Sequence, residues 1–224
     1  MPRRAVPLVT GEIYHIFNRS IARQPIFTRS KDFQRFLEVV DFYRFKNLRI
    51  RFSYYNRLPI EQKSLFINSL YQTGVPKIEI LSFVIMPNHY HFLAKQSDDY
   101  GIKNFISQIQ NSYAKFYNTK YNRTGALFQE MFKALRIETD EQFIHVARYI
   151  HLNPLTSYQL TKYEDLDDYP LSSFTNFMGN RHLTFLNKDT LTNYFPYKKR
   201  LKEFTFNQVD YQRTLKNIEH LIIE

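Results

Sequence analysis

The chain has 224 residues, of which 43% are hydrophobic, so it is long enough and apolar enough to fold around a real core. It contains no cysteine, which excludes disulfides, thiolate nucleophiles and cysteine-bound zinc. No stretch approaches the roughly 20 apolar residues of a membrane span, and the first residues show no export signal, so we expect a cytoplasmic protein without a membrane partner. The formal net charge of +10 favours a polyanionic partner.

The first half of the chain is predicted to form three strands and two helices. A helix begins at Ser30, where Ser30-Lys31-Asp32 precedes apolar residues at helical spacing. Residues 46–76 are interpreted as an irregular insertion with a short helix near 60–71, which ends at Gly74 and Pro76. A Pro87-Asn88 turn separates the second and third strands. The three strands are predicted at 13–17, 78–86 and 89–95.

The second half continues with a helix over 101–119, a strand within 126–137 and a last helix, called the third helix because the short helix near 60–71 belongs to the insertion. Thr139 has capping-box spacing to Gln142 at the start of the third helix, and Pro154 is predicted to end it. The order β-α-β-β-α-β predicts an α+β fold of the ferredoxin-like type, an antiparallel sheet with two helices on one face. We expect one domain over 1–157 and a helical C-terminal extension, 158–224, packed on or beside it.

His89 and His91 stand one residue apart in the third strand. Successive side chains of a strand point to opposite faces, so both imidazoles leave the same face and form half of a metal site. Because cysteine is absent, the remaining ligands must be His, Asp, Glu, Asn or Gln, which favours Mg²⁺ or Mn²⁺ and leaves zinc open. The alternative is a surface strand with two unrelated histidines.

On the third helix, His145, Tyr149 and Asn153 form a row at i, i+4 and i+8 beside the apolar stripe. Tyr149 is therefore expected to be neither deep core nor fully solvated and to reach a cleft next to the helix. The alternative for Tyr149 is a tyrosine at the edge of the core, with its ring packed and its hydroxyl in contact with water. The alternative for Asn153 is a helix C-cap.

Basic residues dominate from Lys103 to Arg136, with six of them against the single acid Glu130. Aromatic residues are interleaved with this stretch, and such rings can stack on unpaired bases. Aromatic stripes on helices more often pack inward, so a core role for most of them is the alternative.

Four blocks of the sequence together resemble the single-tyrosine HUH transposases, and within them the insertion-sequence-200-like and REP-associated tyrosine transposases. The blocks occur in the order of the family, and the resemblance covers about residues 11–157. They are Tyr14-His15-Ile16-Phe17-Asn18-Arg19, Met86-Pro87-Asn88-His89-Tyr90-His91, Gly125-Ala126-Leu127-Phe128-Gln129 and Arg148-Tyr149-Ile150-His151-Leu152-Asn153-Pro154.

The resemblance implies that His89 and His91 bind a divalent metal and that Tyr149 attacks single-stranded DNA to form a 5′-phosphotyrosine linkage. Asn153 occupies the position of a polar third ligand. The implied substrate is hairpin-bearing single-stranded DNA, and the implied activity is that of a single-strand endonuclease and strand transferase. Relatives include both monomers and dimers that exchange the tyrosine helix, so a homodimer is one expectation.

Two further roles are assigned, one from spacing and one from charge and the family blocks. His145, one turn before Tyr149, is the nearest candidate for a general base, although a solvated helix histidine is the alternative. The candidate DNA contacts are Arg19, Lys115, Arg123, Gln129 and Lys133, although each basic residue among them is individually more often a solvated surface residue.

Two other functions remain open at this stage. The first is a catalytically silent or domesticated nucleic-acid-binding protein with the same fold. The second is a metal-dependent hydrolase of a small anionic substrate, which would need no tyrosine.

Overall fold

The computed structural model describes residues 7–207. The strands in this part of the chain are β1 (Ile13–Arg19), β2 (Ile78–Met86), β3 (His89–Gln96) and β4 (Lys133–Ile137). The helices are α1 (Ser30–Tyr43), α2 (Phe52–Tyr55), α3 (Ile60–Thr73), α4 (Gly101–Lys120), α5 (Asp140–Thr156), α6 (Phe174–Met178), α7 (Asp189–Thr192) and α8 (Lys198–Phe206). Of the helices described, none is long and apolar enough to cross a membrane.

The four strands form one antiparallel sheet in the order β2-β3-β1-β4. In this order β3 lies between β1 and β2, and β1 lies between β3 and β4, as in the split βαβ arrangement. The predicted α+β, ferredoxin-like fold is therefore confirmed.

The side chains of β3 alternate between two different environments. Tyr90 and Phe92 are fully buried against Phe36 of α1 and Phe105 of α4, with ring centroids 5.4 Å apart for Phe36–Tyr90 and 6.0 Å for Phe92–Phe105. The buried Tyr90 hydroxyl accepts a hydrogen bond from Gln110 Nε2 at 2.8 Å. This bond satisfies the one polar atom of that side chain, so a tyrosine between the two histidines is accommodated on the helix-covered face.

Helix α5 packs on the opposite face, against β2 and β3. Its first turn is capped as predicted, because Thr139 Oγ1 accepts from Gln142 N at 3.1 Å. The prediction that Pro154 ends the helix is wrong, since α5 continues through Pro154 to Thr156. Pro154 has no N–H to donate within the helix, but the following turn is closed by Ser157 N, which donates to Asn153 O at 3.0 Å.

Residues 158–207 cover the outer edge of β2. Ile85 N donates to Leu171 O at 2.8 Å, and Asn187 N donates to Ile80 O at 2.9 Å. These bonds pair backbone groups that an edge strand would otherwise expose. Leu171 belongs to the same core cluster as the sheet. The division of the chain into a domain over 1–157 and an extension over 158–224 stays a prediction. The first six residues of the predicted domain and residues 208–224 of the predicted extension lie outside the described part of the chain.

The C-terminal segment also buries the second half of α5. His151 is fully buried, and its Nε2 lies 3.0 Å from Ser82 Oγ of β2 and 2.9 Å from Ser173 Oγ. Burial lowers the pKa of His151 to about 3, so the ring is neutral. A neutral imidazole thus joins α5, β2 and the C-terminal segment at one point.

Candidate functional site on the histidine face of the sheet

The register of the sheet places three rows of side chains on one face. His89 lies opposite Arg19, and His91 lies opposite Phe17. Farther along β1, His15 occupies the same face. Two residues of β4 complete the last two rows, Lys133 beside Phe17 and Leu135 beside His15. The predicted common face of His89 and His91 is confirmed, and it is shared with β1 and β4.

His91 is held by a histidine on the neighbouring strand. Its Nδ1 lies 2.9 Å from His15 Nε2, and both side chains are buried. Burial lowers the pKa of His15 to about 4, so this ring is neutral. For His91 to offer a lone pair at Nε2, its proton must sit on Nδ1 and be donated to His15 Nε2. A metal-binding histidine usually donates its other ring N–H to a fixed acceptor, and here the acceptor available to His91 is the imidazole of His15.

His89 is oriented by its neighbour in the turn. Its Nδ1 lies 2.6 Å from Asn88 Oδ1, and because an amide oxygen only accepts, the imidazole donates from Nδ1. The His89 and His91 rings are 5.1 Å apart and nearly perpendicular. Both histidines are therefore fixed through Nδ1, so Nε2 is the atom of each that would bind a metal.

Tyr149 lies against this face within the same chain. Its half-buried ring is in edge contact with His91, with centroids 5.7 Å apart, and with His15, with centroids 5.8 Å apart. Both contacts cross from α5 to the central strands of the sheet. The expectation that Tyr149 would be neither deep core nor fully solvated is confirmed.

Asn153 lies one turn beyond Tyr149 and is fully buried inside α5, so the alternative reading of Asn153 as a C-cap is wrong. In the described part of the chain, no group of three or more His, Cys, Asp or Glu residues could hold a metal ion. A metal bound by His89 and His91 would therefore need a ligand of another type. A buried amide oxygen is such a ligand, and two imidazoles with one amide oxygen fit a divalent cation.

The structure places His145 toward the C-terminal helix. Its Nδ1 accepts from Arg148 Nη2, and its ring lies 5.8 Å from that of Phe204 in α8. The Arg148 guanidinium itself stacks over Phe204 at 4.4 Å. His145, suggested as a general base, is thus engaged with Arg148 and α8, while His15 and His91 are the imidazoles in ring contact with Tyr149.

Three of the five candidate DNA contacts lie around the histidine face. Arg19 is the cross-strand neighbour of His89, and Gln129 N donates to Arg19 O at 2.9 Å. Lys133 Nζ lies 6.0 Å from the centre of the Phe17 ring. The fourth, Arg123, is in the loop after α4, with its guanidinium 5.9 Å from the Tyr117 ring.

The fifth, Lys115, lies on α4, which packs on the other face of the sheet. It lines a cavity of about 1120 Å³ between α1, α4 and the segment around α2. We call this cavity the basic groove. Six cationic side chains line it and no carboxylate does: Arg35, Arg49, Arg51, Arg57, Lys115 and Lys120.

Two residues of the histidine face had no assigned role in the sequence, His15 and Phe17. Both fall within the first family block, but a single histidine or phenylalanine in a strand gives no signal of its own. Their contact with His91 depends on the pairing of β1 with β3, whose strands are more than 70 residues apart. Only the register of that pair brings them to the site.

The site and fold define the class of protein: a ferredoxin-like α+β domain with a histidine pair facing a tyrosine on a separate helix. Residues 66–153, which include both histidines and Tyr149, match the family model described as transposase IS200 like. This match confirms the resemblance to the insertion-sequence-200-like transposases, a family of enzymes that transpose DNA.

Two solved structures are similar to the chain. The first is described as a REP-associated tyrosine transposase bound to a REP hairpin; it is 14% identical, with a TM-score of 0.52, covering 85% of this chain and 93% of the other. At that identity the likeness shows the fold. The second is a candidate transposase from Deinococcus radiodurans R1, 12% identical with a TM-score of 0.36, covering 66% of this chain and 95% of the other. No curated protein matches the chain.

Proposed function

We propose that the protein is a single-strand DNA endonuclease and strand transferase that uses Tyr149 as its nucleophile. The observation that carries this proposal is the edge contact between the Tyr149 ring and His91 in one chain, with centroids 5.7 Å apart. A phosphate held at the histidine pair would lie within reach of a tyrosine placed there. The catalytic unit proposed is residues 1–157.

In this proposal, Nε2 of His89, Nε2 of His91 and the side-chain oxygen of Asn153 hold a divalent metal, with Mg²⁺ or Mn²⁺ as the candidates. The bound metal would supply Lewis acidity and fix the position of the scissile phosphate. His15 and Asn88 keep the two imidazoles in the required orientation through their Nδ1 atoms.

Tyr149 passes its phenolic proton to a nearby base or to water, and its oxygen attacks the phosphorus. A bond forms between this oxygen and phosphorus while the bond from phosphorus to the 3′-oxygen breaks. The leaving 3′-oxygen takes up a proton, which leaves a free 3′-hydroxyl and a 5′-phosphotyrosine. Attack of another 3′-hydroxyl on this linkage rejoins a strand and releases the tyrosine. Because the phosphotyrosine bond retains the energy of the phosphodiester, no nucleoside triphosphate is needed.

The proposed substrate is single-stranded DNA that carries a hairpin. A fold neighbour was solved with a REP hairpin, and this chain offers two cationic regions to an anionic strand. Arg19 and Lys133 flank the histidine face, and the basic groove lies between α1, α4 and the segment around α2, on the opposite face of the sheet. Cationic surfaces of this kind bind phosphates irrespective of sequence.

The experiment is a search for a covalent adduct. Wild-type protein is incubated with hairpin-bearing single-stranded DNA labelled at its 3′ end and with Mn²⁺, and the products are separated under denaturing conditions. We expect a labelled protein band that is absent for Tyr149→Phe and present for Tyr100→Phe, whose ring is exposed on the surface. Peptide mapping should place the nucleotide on Tyr149, which is needed because the chain contains 17 tyrosines.

Two results would contradict the proposal. Cleavage that persists in Tyr149→Phe would indicate hydrolysis by water, without a tyrosine intermediate. Tight binding of the same DNA with no adduct in either Mg²⁺ or Mn²⁺ would favour the catalytically silent nucleic-acid-binding protein.

A further inference from the structure

Beside the histidine pair, a strip of the sheet stays open to solvent. It consists of Phe17 on β1 with Lys133 and Leu135 on β4, and we call it the β1–β4 strip. Leu135 is 58% exposed, Lys133 is exposed and Phe17 is half-buried. The strip thus places an exposed leucine and a partly exposed aromatic ring side by side next to the candidate active site.

The β1–β4 strip lies directly beside the histidine pair. Phe17 is the cross-strand neighbour of His91, and their rings lie 5.4 Å apart with planes inclined by 26°. On the other side of Phe17, the Lys133 ammonium lies 6.0 Å from the ring centre. Arg19 follows two residues after Phe17 on the same face, opposite His89. An aromatic ring is thus flanked by two cations and by a histidine of the pair.

We propose that the β1–β4 strip binds one unpaired nucleotide next to the scissile phosphate. Its base stacks on Phe17 and packs along Leu135, while the adjoining phosphates contact Lys133 and Arg19. Aromatic rings stack on any base, and cations beside them bind the backbone, which is the usual combination in single-strand binding. Phe17 is therefore assigned as a positioning residue that aligns the strand with Tyr149.

This inference rests on the proposed function, because it assumes that a DNA strand reaches the histidine face. It goes further in naming an unpaired nucleotide as the ligand of a defined strip of β1 and β4. A base that is paired within a duplex could not stack there, so the strip also selects single-stranded flanks over paired DNA.

The chain contains no tryptophan, so a single introduced tryptophan reports on the strip without background. Leu135→Trp is placed in the strip, and Leu65→Trp, at a position 72% exposed on α3, serves as the control. The probe is a single-stranded oligothymidylate of about twelve nucleotides. We expect saturable quenching of Leu135→Trp by this probe, no saturable change for Leu65→Trp, and no quenching of either by a blunt duplex.

Two further variants test the ring and the charge. Phe17→Leu should weaken binding of the oligothymidylate about tenfold, as expected for the loss of one stacked base. Phe17→Tyr keeps the ring and should restore most of that affinity. Lys133→Gln should weaken binding and reduce its dependence on salt. Circular dichroism of each variant checks that the fold is intact.

The outcomes separate this inference from the proposed function. If wild-type protein forms the Tyr149 adduct but the emission of Leu135→Trp does not respond to single-stranded DNA, the strip proposal is wrong and the function stands. If neither signal is seen, both are wrong. If the emission of Leu135→Trp changes with protein concentration in the absence of DNA, the strip is an interface between copies of the chain and the nucleotide proposal is overturned.

Discussion

His15 and His91 form a buried pair across two neighbouring strands, with Nε2 of the first 2.9 Å from Nδ1 of the second. This pair joins β1, which carries no proposed ligand, to the strand that carries both proposed histidine ligands. Because His15 fixes the His91 ring, the geometry of the candidate metal site depends on the pairing of β1 with β3.

His15→Ala is expected to lower metal affinity and adduct formation by about 10- to 100-fold, because His91 loses the partner that orients its ring. The measurement is adduct yield against Mn²⁺ concentration. His15→Gln, which keeps a polar group in place, should recover part of the loss, and His182→Gln, on the exposed surface, should behave as wild type. If the adduct yield of His15→Ala depended on Mn²⁺ concentration as it does in the wild type, His15 would not orient the His91 ring.

Tyr90→Phe should separate stability from activity. The Tyr90 hydroxyl is buried and accepts from Gln110 Nε2, so its removal leaves the half-buried Gln110 amide without that acceptor. We expect the free energy of unfolding to fall by about 1–2 kcal/mol, as measured by urea denaturation. Adduct formation per folded molecule should be unchanged, because the side chain lies on the face opposite the histidines. If fully folded Tyr90→Phe formed less adduct than the wild type, Tyr90 would not be confined to the face of the sheet opposite the histidines.

Lys77 predicts a pH dependence of stability. Burial lowers its pKa to about 8, against roughly 10.4 in an unfolded chain. Between these two values the unfolded chain binds the proton more strongly, so the free energy of unfolding should rise with pH, by up to about 1.4 kcal/mol per pH unit. Lys77→Met should lack this contribution, and Lys103→Met, exposed on α4, should retain it. Urea midpoints from pH 7.5 to 10.5 measure the difference, and parallel curves for wild type and Lys77→Met would contradict the prediction.

The basic groove predicts how the affinity for the DNA hairpin depends on salt concentration. In the described part of the chain, no carboxylate forms an ion pair with Arg49 or Arg51. If both contact phosphates of the hairpin, Arg49→Gln/Arg51→Gln should weaken binding and reduce the slope of log affinity against log salt by nearly 2. Lys162→Gln/Lys199→Gln, matched in charge but outside the groove, should leave the slope close to wild type. Equal slopes for both double variants would exclude a specific contact in the groove.

The sequence predicted those features that depend on local pattern. Alternation along β3 gave the common face of His89 and His91, and helical spacing gave the half-buried position of Tyr149. The prediction that Pro154 ends the third helix was wrong because the local rule for proline ignores tertiary packing. Residues 158–207 pack on the last turns of α5 and bury them. His15 and Phe17 were missed because their contacts with His91 come from strand pairing, which a single sequence does not reveal. The basic groove was missed for a similar reason, since it joins residues from α1, the segment around α2, and α4.

The central claim is that Tyr149 acts with the histidine pair of its own chain. The direct test mixes two inactive variants of different size, Tyr149→Phe with an added tag and His91→Ala without one, and searches for adduct in labelled single-stranded DNA with Mn²⁺. We predict no adduct on either chain, because each lacks one half of a site that is complete within one molecule. An adduct on the His91→Ala chain would show that its Tyr149 had used the histidines of another copy, and would contradict the account.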